Sequence, residues 1–270
     1  MEQLKIIVQN AQCDPNTFSI IRRHTSGILI HLGMSSDDAD RWVLEKIQNK
    51  KINDLTKWES ELHNELKSFG IYENLDIRMK ERAKEWFVKI QPYLFKTKTL
   101  DLGGGSGEVS NLMKNFGCDV SIADVLNWDK FNFPFIQVKN NKIDAKDGEF
   151  DQVVLLTVFH HTDDVQALIK EAFRVAGKRV IFMESVTENL VGYAYGAWID
   201  WFYNRVIHFS SEVKNKINVP CNLLPATGWE QLVWKLIGAS PIASVNVGIY
   251  QYLNPENHHL LVYDKQKSVN

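Results

Sequence analysis

Cysteine is scarce in this sequence. Cys13, Cys118 and Cys221 lie far apart, and no CxxC pair occurs. That excludes a disulfide framework and fits a reducing compartment. Long apolar runs are missing too: none reaches the roughly 18 residues that a membrane span needs. The opening MEQLKIIVQNAQ lacks the basic start and apolar stretch of a secretory signal. The expectation is a cytoplasmic protein. Nor does one sign of charge dominate: 31 Lys and Arg stand against 33 Asp and Glu, a net charge of −2. Such a chain has no general attraction for nucleic acid or an anionic membrane, and neither is expected as a partner. There is no internal repeat and no low-complexity tract. What remains is an ordinary globular composition, 44 % hydrophobic and 24 % charged over 270 residues. It suits one large domain, or one domain with a smaller module.

The chain divides into two parts by period. Residues 1–95 read as a helical N-terminal module. Ser35, with Asp38 three residues on, resembles a capping box opening a helix through ADRWVLEKIQ. LTKWESELHNELKS (55–68) is a second helix, stopped near Gly70. A third runs from about Leu75 to Gln91, with Met79, Ala83, Trp86, Phe87 and Ile90 on one face and Pro92 ending it. Beyond residue 96 short apolar runs alternate with helical stretches. The strand candidates are 98–102, 119–124, 134–138, 150–158 and 178–184. Helices are expected at 108–116, 163–175 and from near Gly228. Two last strands, 243–250 and 258–264, flank the polar QYLNPEN and read as an antiparallel hairpin. The fold class expected for 96–270 is therefore α/β: a doubly wound, mostly parallel seven-stranded sheet closed by that hairpin. An aromatic insertion occupies 188–215.

Asp101-Leu102-Gly103-Gly104-Gly105-Ser106-Gly107 sits between the first strand and the following helix. Glycines there let backbone approach a ligand. A nucleoside-triphosphate loop needs lysine and a hydroxyl after its last glycine, but Glu108 follows Gly107. A dinucleotide loop needs GxGxxG, and its third position falls on Glu108 or Ser110. A carboxylate at that helix start would also repel pyrophosphate. The loop suits a ligand without phosphate. Asp101 can accept from an ammonium group, and Asp124, ending the second strand, from ribose hydroxyls. S-adenosylmethionine (SAM) has both groups and no phosphate.

LDLGGGSGEVS, then SIADV, then FDQVVLLTVFHHTDD resembles the class I SAM-dependent methyltransferase superfamily over about residues 78–185. The resemblance implies SAM as cofactor. It puts Asp101, Gly103, Gly104 and Gly105 beside the methionine part, and Asp124 and Val125 at the ribose. Asn140 or Asn141 replaces the acid that many relatives hold near the adenine. Thr157 and Val158 lie beside the sulfonium. The N-terminal helices close over the cofactor in many relatives, and Arg78 or Arg82 can pair with its carboxylate; exposed helix charges are the plainer reading.

Methyl transfer mainly requires alignment of the nucleophile and exclusion of water. His160 and His161 follow the fourth strand, and at most one of two adjacent residues can face the acceptor as orienter or base. Glu184 ends the fifth strand and suits an acceptor amine, a base, or a cap for the next turn. VGYAYGAWIDWFYNRVIHF (191–209) offers Tyr193, Tyr195, Trp198, Trp201, Phe202 and Tyr203 as a pocket wall, or as core or homodimer packing. On the other face His208 with Asp200 is a second acid–base candidate, or a solvated row. The paired histidines lack HExxH spacing, and no metal is expected. The residues TVFH stand where a base or amide methylase carries NPPY or DPPY. The expected activity is methylation of a small molecule with an apolar or aromatic body, as in secondary metabolism. The alternative is a SAM sensor or partner subunit whose acceptor space is filled.

Overall fold

The computed structural model describes residues 2–207, 219–250 and 254–265. It divides into two compact units. A helical unit comprises Met1–Met79, Thr187–Leu223 and Ile249–Asn257, and an α/β unit comprises Lys80–Val186, Leu224–Gly248 and His258–Asn270. The boundary thus falls at 79/80 instead of near 95, and the aromatic insertion belongs with the helices. Apolar burial explains this grouping: the insertion's Trp and Phe side chains complete the helical core.

In the helical unit, side-chain caps set where helices start. Helix α1 is Glu2–Cys13, and α2, Pro15–His31, is capped by Asp14, which accepts from Thr17 N–H at 2.7 Å. Helix α3, Ser36–Lys46, is capped by Ser35 through Asp38 N–H at 3.1 Å, as the sequence pattern predicts. Helix α4 is Leu55–Ser68, capped by Asp54, and α5 is Tyr72–Ile90, ended by Pro92 within a 3₁₀ turn. Residues Lys80–Ile90 of α5 belong to the second unit.

Between β5, Ala176–Val186, and the last helix comes α8, Leu190–Trp201. It continues as a π-helix over Phe202–Ile207. Trp198, Trp201 and Phe202 are fully buried with Trp42 and Trp58 in the core of this unit, and Trp58 stacks on Trp201 at 5.3 Å. Glu59, also fully buried, accepts from Trp201 Nε1 at 2.8 Å and pairs with Arg205 Nη2 at 3.1 Å. Those groups therefore serve packing here, and Arg205 neutralises a carboxylate that the aromatic core encloses.

The α/β unit holds β1 (Lys98–Leu102), α6 (Glu108–Phe116), β2 (Asp119–Asp124), β3 (Phe135–Gln137) and β4 (Phe150–Leu156). Helix α7 (Val165–Val175), β5, helix α9 (Ala226–Ile237), β6 (Ala243–Tyr250) and β7 (Asn254–Asp264) complete it. The strand order is β3-β2-β1-β4-β5-β7-β6. The first five strands run parallel, and the C-terminal strands are antiparallel. Successive side chains of β4 feed opposite layers: Val153 and Leu155 join Phe159, Phe182 and Trp229, while Val154 and Leu156 join Met113, Ile122 and Trp86. This two-sided burial explains its unbroken apolar run. β4 ends at Leu156, two residues early, because the chain turns at Thr157. Helix α7 starts at Val165 because Asp164 caps it through Ala167 N–H at 2.9 Å. β7 starts at Asn254, so part of the expected polar loop is strand; Pro255 stands near its start, where a missing N–H is tolerated.

Candidate functional site

Chain order reverses at β1, whose neighbours are β2 and β4. The carboxyl ends of strands flanking such a point leave a crevice where ligands bind. The glycine loop starts there. Gly103, Gly105 and Gly107 have φ of 78°, 54° and 78°, the left-handed region that side chains disfavour. Space matters as well at Gly103: a Cβ would lie 2.5 Å from Val158 Cγ2. Gly103 N–H donates to Ala123 O at 2.7 Å, which ties the loop to β2.

Two acids stand at the strand ends. Asp101 is 3 % exposed, and its Oδ2 accepts from Ser110 Oγ at 2.5 Å. Burial pushes Asp101 up to about 7, against the pull of Ser110 and with the push of the Asp124 charge. Asp124, also buried, accepts from Gly105 N–H at 3.0 Å on Oδ2 and from Val125 N–H at 2.7 Å on Oδ1. Burial raises its pKa, and these backbone donors oppose the rise. The Leu126 N–H and the Trp128 side chain also pull it down. The Val125 side chain is exposed.

Beyond β3, Asn140 and Asn141 have φ of 50° and 58° and form the two-residue tip of a tight turn closed by Lys139 and Lys142. Asparagine tolerates that conformation better than most residues. Asn140 is exposed, while Asn141 Oδ1 accepts from Thr162 Oγ1 at 2.9 Å. The following segment is pinned from α7. Buried Glu171 accepts from Ile143 N–H at 2.8 Å, and Arg174 donates to the carbonyls of Ile143 and Ala145.

The turn after β4 carries strain. Thr157, a β-branched residue, has φ of 59°. It is held by its neighbours: Thr157 N–H donates to Met183 O at 2.7 Å, and its hydroxyl donates to Leu156 O. Fully buried Glu184 accepts from Val158 and Phe159 N–H at 2.8 and 2.7 Å, and its other oxygen meets His160 Nδ1 at 2.6 Å. Both oxygens of Glu184 are therefore engaged by the turn after β4, not by the turn that follows Glu184 itself. His160 is buried; His161 is half-buried, its ring 4.1 Å from that of His160.

The α/β unit thus brings together Asp101, Gly103–Gly105, Asp124, Thr157, Val158, His160, His161 and Glu184. Val125, Asn140 and Asn141 lie in the same unit, whereas the tyrosine and tryptophan candidates, Phe202 and Asp200 belong to the helical unit. Tyr193 donates to Cys221 O at 3.1 Å, Tyr195 lies against His24, and Tyr203 meets Met79 Sδ. Asp200 accepts from Asn204 at 2.7 Å, the spacing expected of a helical row. His208 lies outside the described residues. Sequence reasoning missed Ser110 as a partner of Asp101; its only local signal is a hydroxyl on the inner face of α6.

These residues fit SAM. A buried acid faces a loop whose Gly105 has nothing nearer to its missing Cβ than Gly103 O at 4.0 Å, leaving room for a methionine moiety. Residues 75–236 match a methyltransferase-domain family. Among solved structures, the chain is similar to the PH0226 protein of Pyrococcus horikoshii (20 % identity, TM-score 0.51), covering 70 % of this chain and 91 % of that one. It is also similar to a SAM-dependent methyltransferase of Thermotoga maritima (13 % identity, TM-score 0.52), covering 73 % and 96 %. A third likeness is to the complex of the Haloferax volcanii Trm112 methyltransferase activator with a methyltransferase (13 % identity, TM-score 0.51), covering 75 % and 97 %. At such identities the likeness speaks for the fold alone. No protein of curated function matches the sequence.

Proposed function

Since the chain belongs to the class I SAM-dependent methyltransferase superfamily, we propose that it methylates a small molecule with an apolar or aromatic body, as in secondary metabolism. The observation that carries the cofactor half of this reading is the pair Asp101 and Asp124 at adjoining strand ends around a phosphate-free glycine loop. The acceptor half is supported by the balanced charge and by TVFH in place of a planar-clamp tetrad.

Bound SAM supplies a methyl group made electrophilic by its sulfonium. Asp101 receives the ammonium group and Asp124 the ribose hydroxyls. Gly103 and Gly105 let the backbone lie against the methionine part. Asn140 or Asn141 borders the adenine. Thr157 and Val158 stand beside the sulfur, held by the Met183 carbonyl and the Glu184 carboxylate. Glu184 also fixes Nδ1 of His160, which makes the His160–Glu184 pair a scaffold for the turn. The more accessible His161 is then the residue to orient an acceptor or take its proton. Alignment of this kind contributes on the order of 7–11 kcal/mol to lowering a barrier.

The test is incubation with methyl-labelled SAM and fractionated cell extract. Label is expected in low-molecular-mass products. Tight SAM binding without transfer would favour the sensor or partner subunit, and label in protein or nucleic acid would overturn the acceptor class. His161→Ala is expected to lower kcat with little change in SAM affinity.

A further inference from the structure

Asp101 depends on a neighbour that the cofactor reading leaves unused. Ser110 is fully buried in the first turn of α6, and its hydroxyl is the hydrogen-bond donor to Asp101 Oδ2. Gly104 covers the same carboxyl group: a Cβ there would lie 3.1 Å from Asp101 Cγ. The charges around Asp101 give it no direct cationic partner among the described residues. On β2 the group that acts on it is Asp124, a like charge, while Asp119 stands at the exposed far end of the strand. On α6, Glu108 has its Oε1 3.9 Å from Lys130 Nζ. On β4 the register partner is Val154, uncharged. On α5, in the same layer, Arg82 lies over the Trp86 ring at 4.5 Å. Burial pushes Asp101 up to about 7, the Ser110 hydrogen bond pulls it down, and Asp124 pushes it up again. An exposed aspartate needs no help to stay ionised at neutral pH. This one does.

We propose that Ser110 is a positioning residue for cofactor binding: its hydroxyl keeps the Asp101 carboxylate oriented and ionised to receive the cofactor's ammonium group. This rests on the reading that Asp101 holds that group. The proton balance follows. The ammonium ion binds the anionic carboxylate, so a protonated Asp101 must release one proton to solvent for each cofactor bound. Without the Ser110 hydroxyl the carboxyl group retains its proton to higher pH, and binding at neutral pH weakens.

Calorimetric titration from about pH 6 to about pH 8.5 tests this, with S-adenosylhomocysteine and with 5′-methylthioadenosine, which has the nucleoside but no amino acid. For the unmodified protein, affinity for S-adenosylhomocysteine is expected to fall toward about tenfold per pH unit below the Asp101 midpoint. Affinity for 5′-methylthioadenosine should show no such fall. Ser110→Ala should bind S-adenosylhomocysteine several-fold more weakly at neutral pH, with its inflection moved to higher pH and the loss recovered at the alkaline end. Ser110→Thr, which keeps the hydroxyl, should restore the original profile. An unmoved inflection in Ser110→Ala, or a loss by one factor at every pH, overturns the proposal. If alanine prevents folding, Ser110→Cys replaces the hydroxyl with a weak donor of similar size and is held to the same outcomes. The underlying reading fails separately: Asp101→Asn would then leave affinity for S-adenosylhomocysteine unchanged.

Discussion

At the residue scale, the buried carboxylates of the α/β unit differ in what satisfies them. Glu171 is fully buried. Burial would raise its pKa, but Arg174, the Ile143 N–H and Lys142 hold it down at about 2. An acid depressed on folding stabilises the native state above its unfolded value of 4.5, and that stability is lost as pH falls toward 2. Glu171→Gln is expected to cost about 3 kcal/mol at neutral pH, with a smaller difference in acid, measured by urea unfolding at both. Asp124 is held by backbone N–H groups at the strand end where the cofactor reading puts the ribose. Asp124→Ala should weaken SAM binding by roughly 1–3 kcal/mol in calorimetry while the circular dichroism spectrum stays folded. Unchanged affinity would place the ribose elsewhere. Asp124 was legible because a strand end fixes where its carboxylate stands. Ser110 was not, since its partner lies nine residues back, across a loop whose path no pattern specifies.

At the element scale, the turn after β4 depends on a strand distant in sequence. Val158, Phe159 and His160 all bond to Glu184 of β5, 24 to 26 residues away. Glu184→Ala would strand three partners, two of them buried, with an expected loss on the order of 3 kcal/mol in unfolding free energy. Glu184→Gln keeps an acceptor oxygen and an amide, so it should recover part of that loss. Equal losses would mean the turn does not need this acceptor. Position in sequence left Glu184 open between acceptor chemistry and capping, since both uses suit a strand end. Only the tertiary structure shows that its two oxygens hold the turn after β4 instead of the turn that follows it. The aromatic stretch was equally open. The helical character of 191–209 was legible, its switch to a π-helix at Phe202 was not, and whether Trp198, Trp201 and Phe202 face a pocket or a core depends on α3 and α4. Trp42, Trp58 and Glu59 come from those helices, and no local pattern links them.

For the whole molecule, ligand-linked stability is the readout nearest to function. S-adenosylhomocysteine at about one hundred times its Kd should add about 2.7 kcal/mol to unfolding free energy, seen as a rise in Tm, and NADH should add nothing. A rise with NADH alone would overturn the cofactor assignment. Among the described residues no helix is long and apolar enough to cross a membrane. The order of strands and helices after residue 96 was readable because each segment buries its own apolar face with its own period. The glycine loop and both acids were readable for a related reason: a doubly wound sheet exposes the same end of every parallel strand. Tertiary structure decided the rest. It set the boundary at residue 79, drew the aromatic insertion into the helical core, engaged Glu184 with backbone amides and joined Ser110 to Asp101. Each of these depends on contacts between segments far apart in sequence or on a loop's path, and neither leaves a periodic trace along the chain.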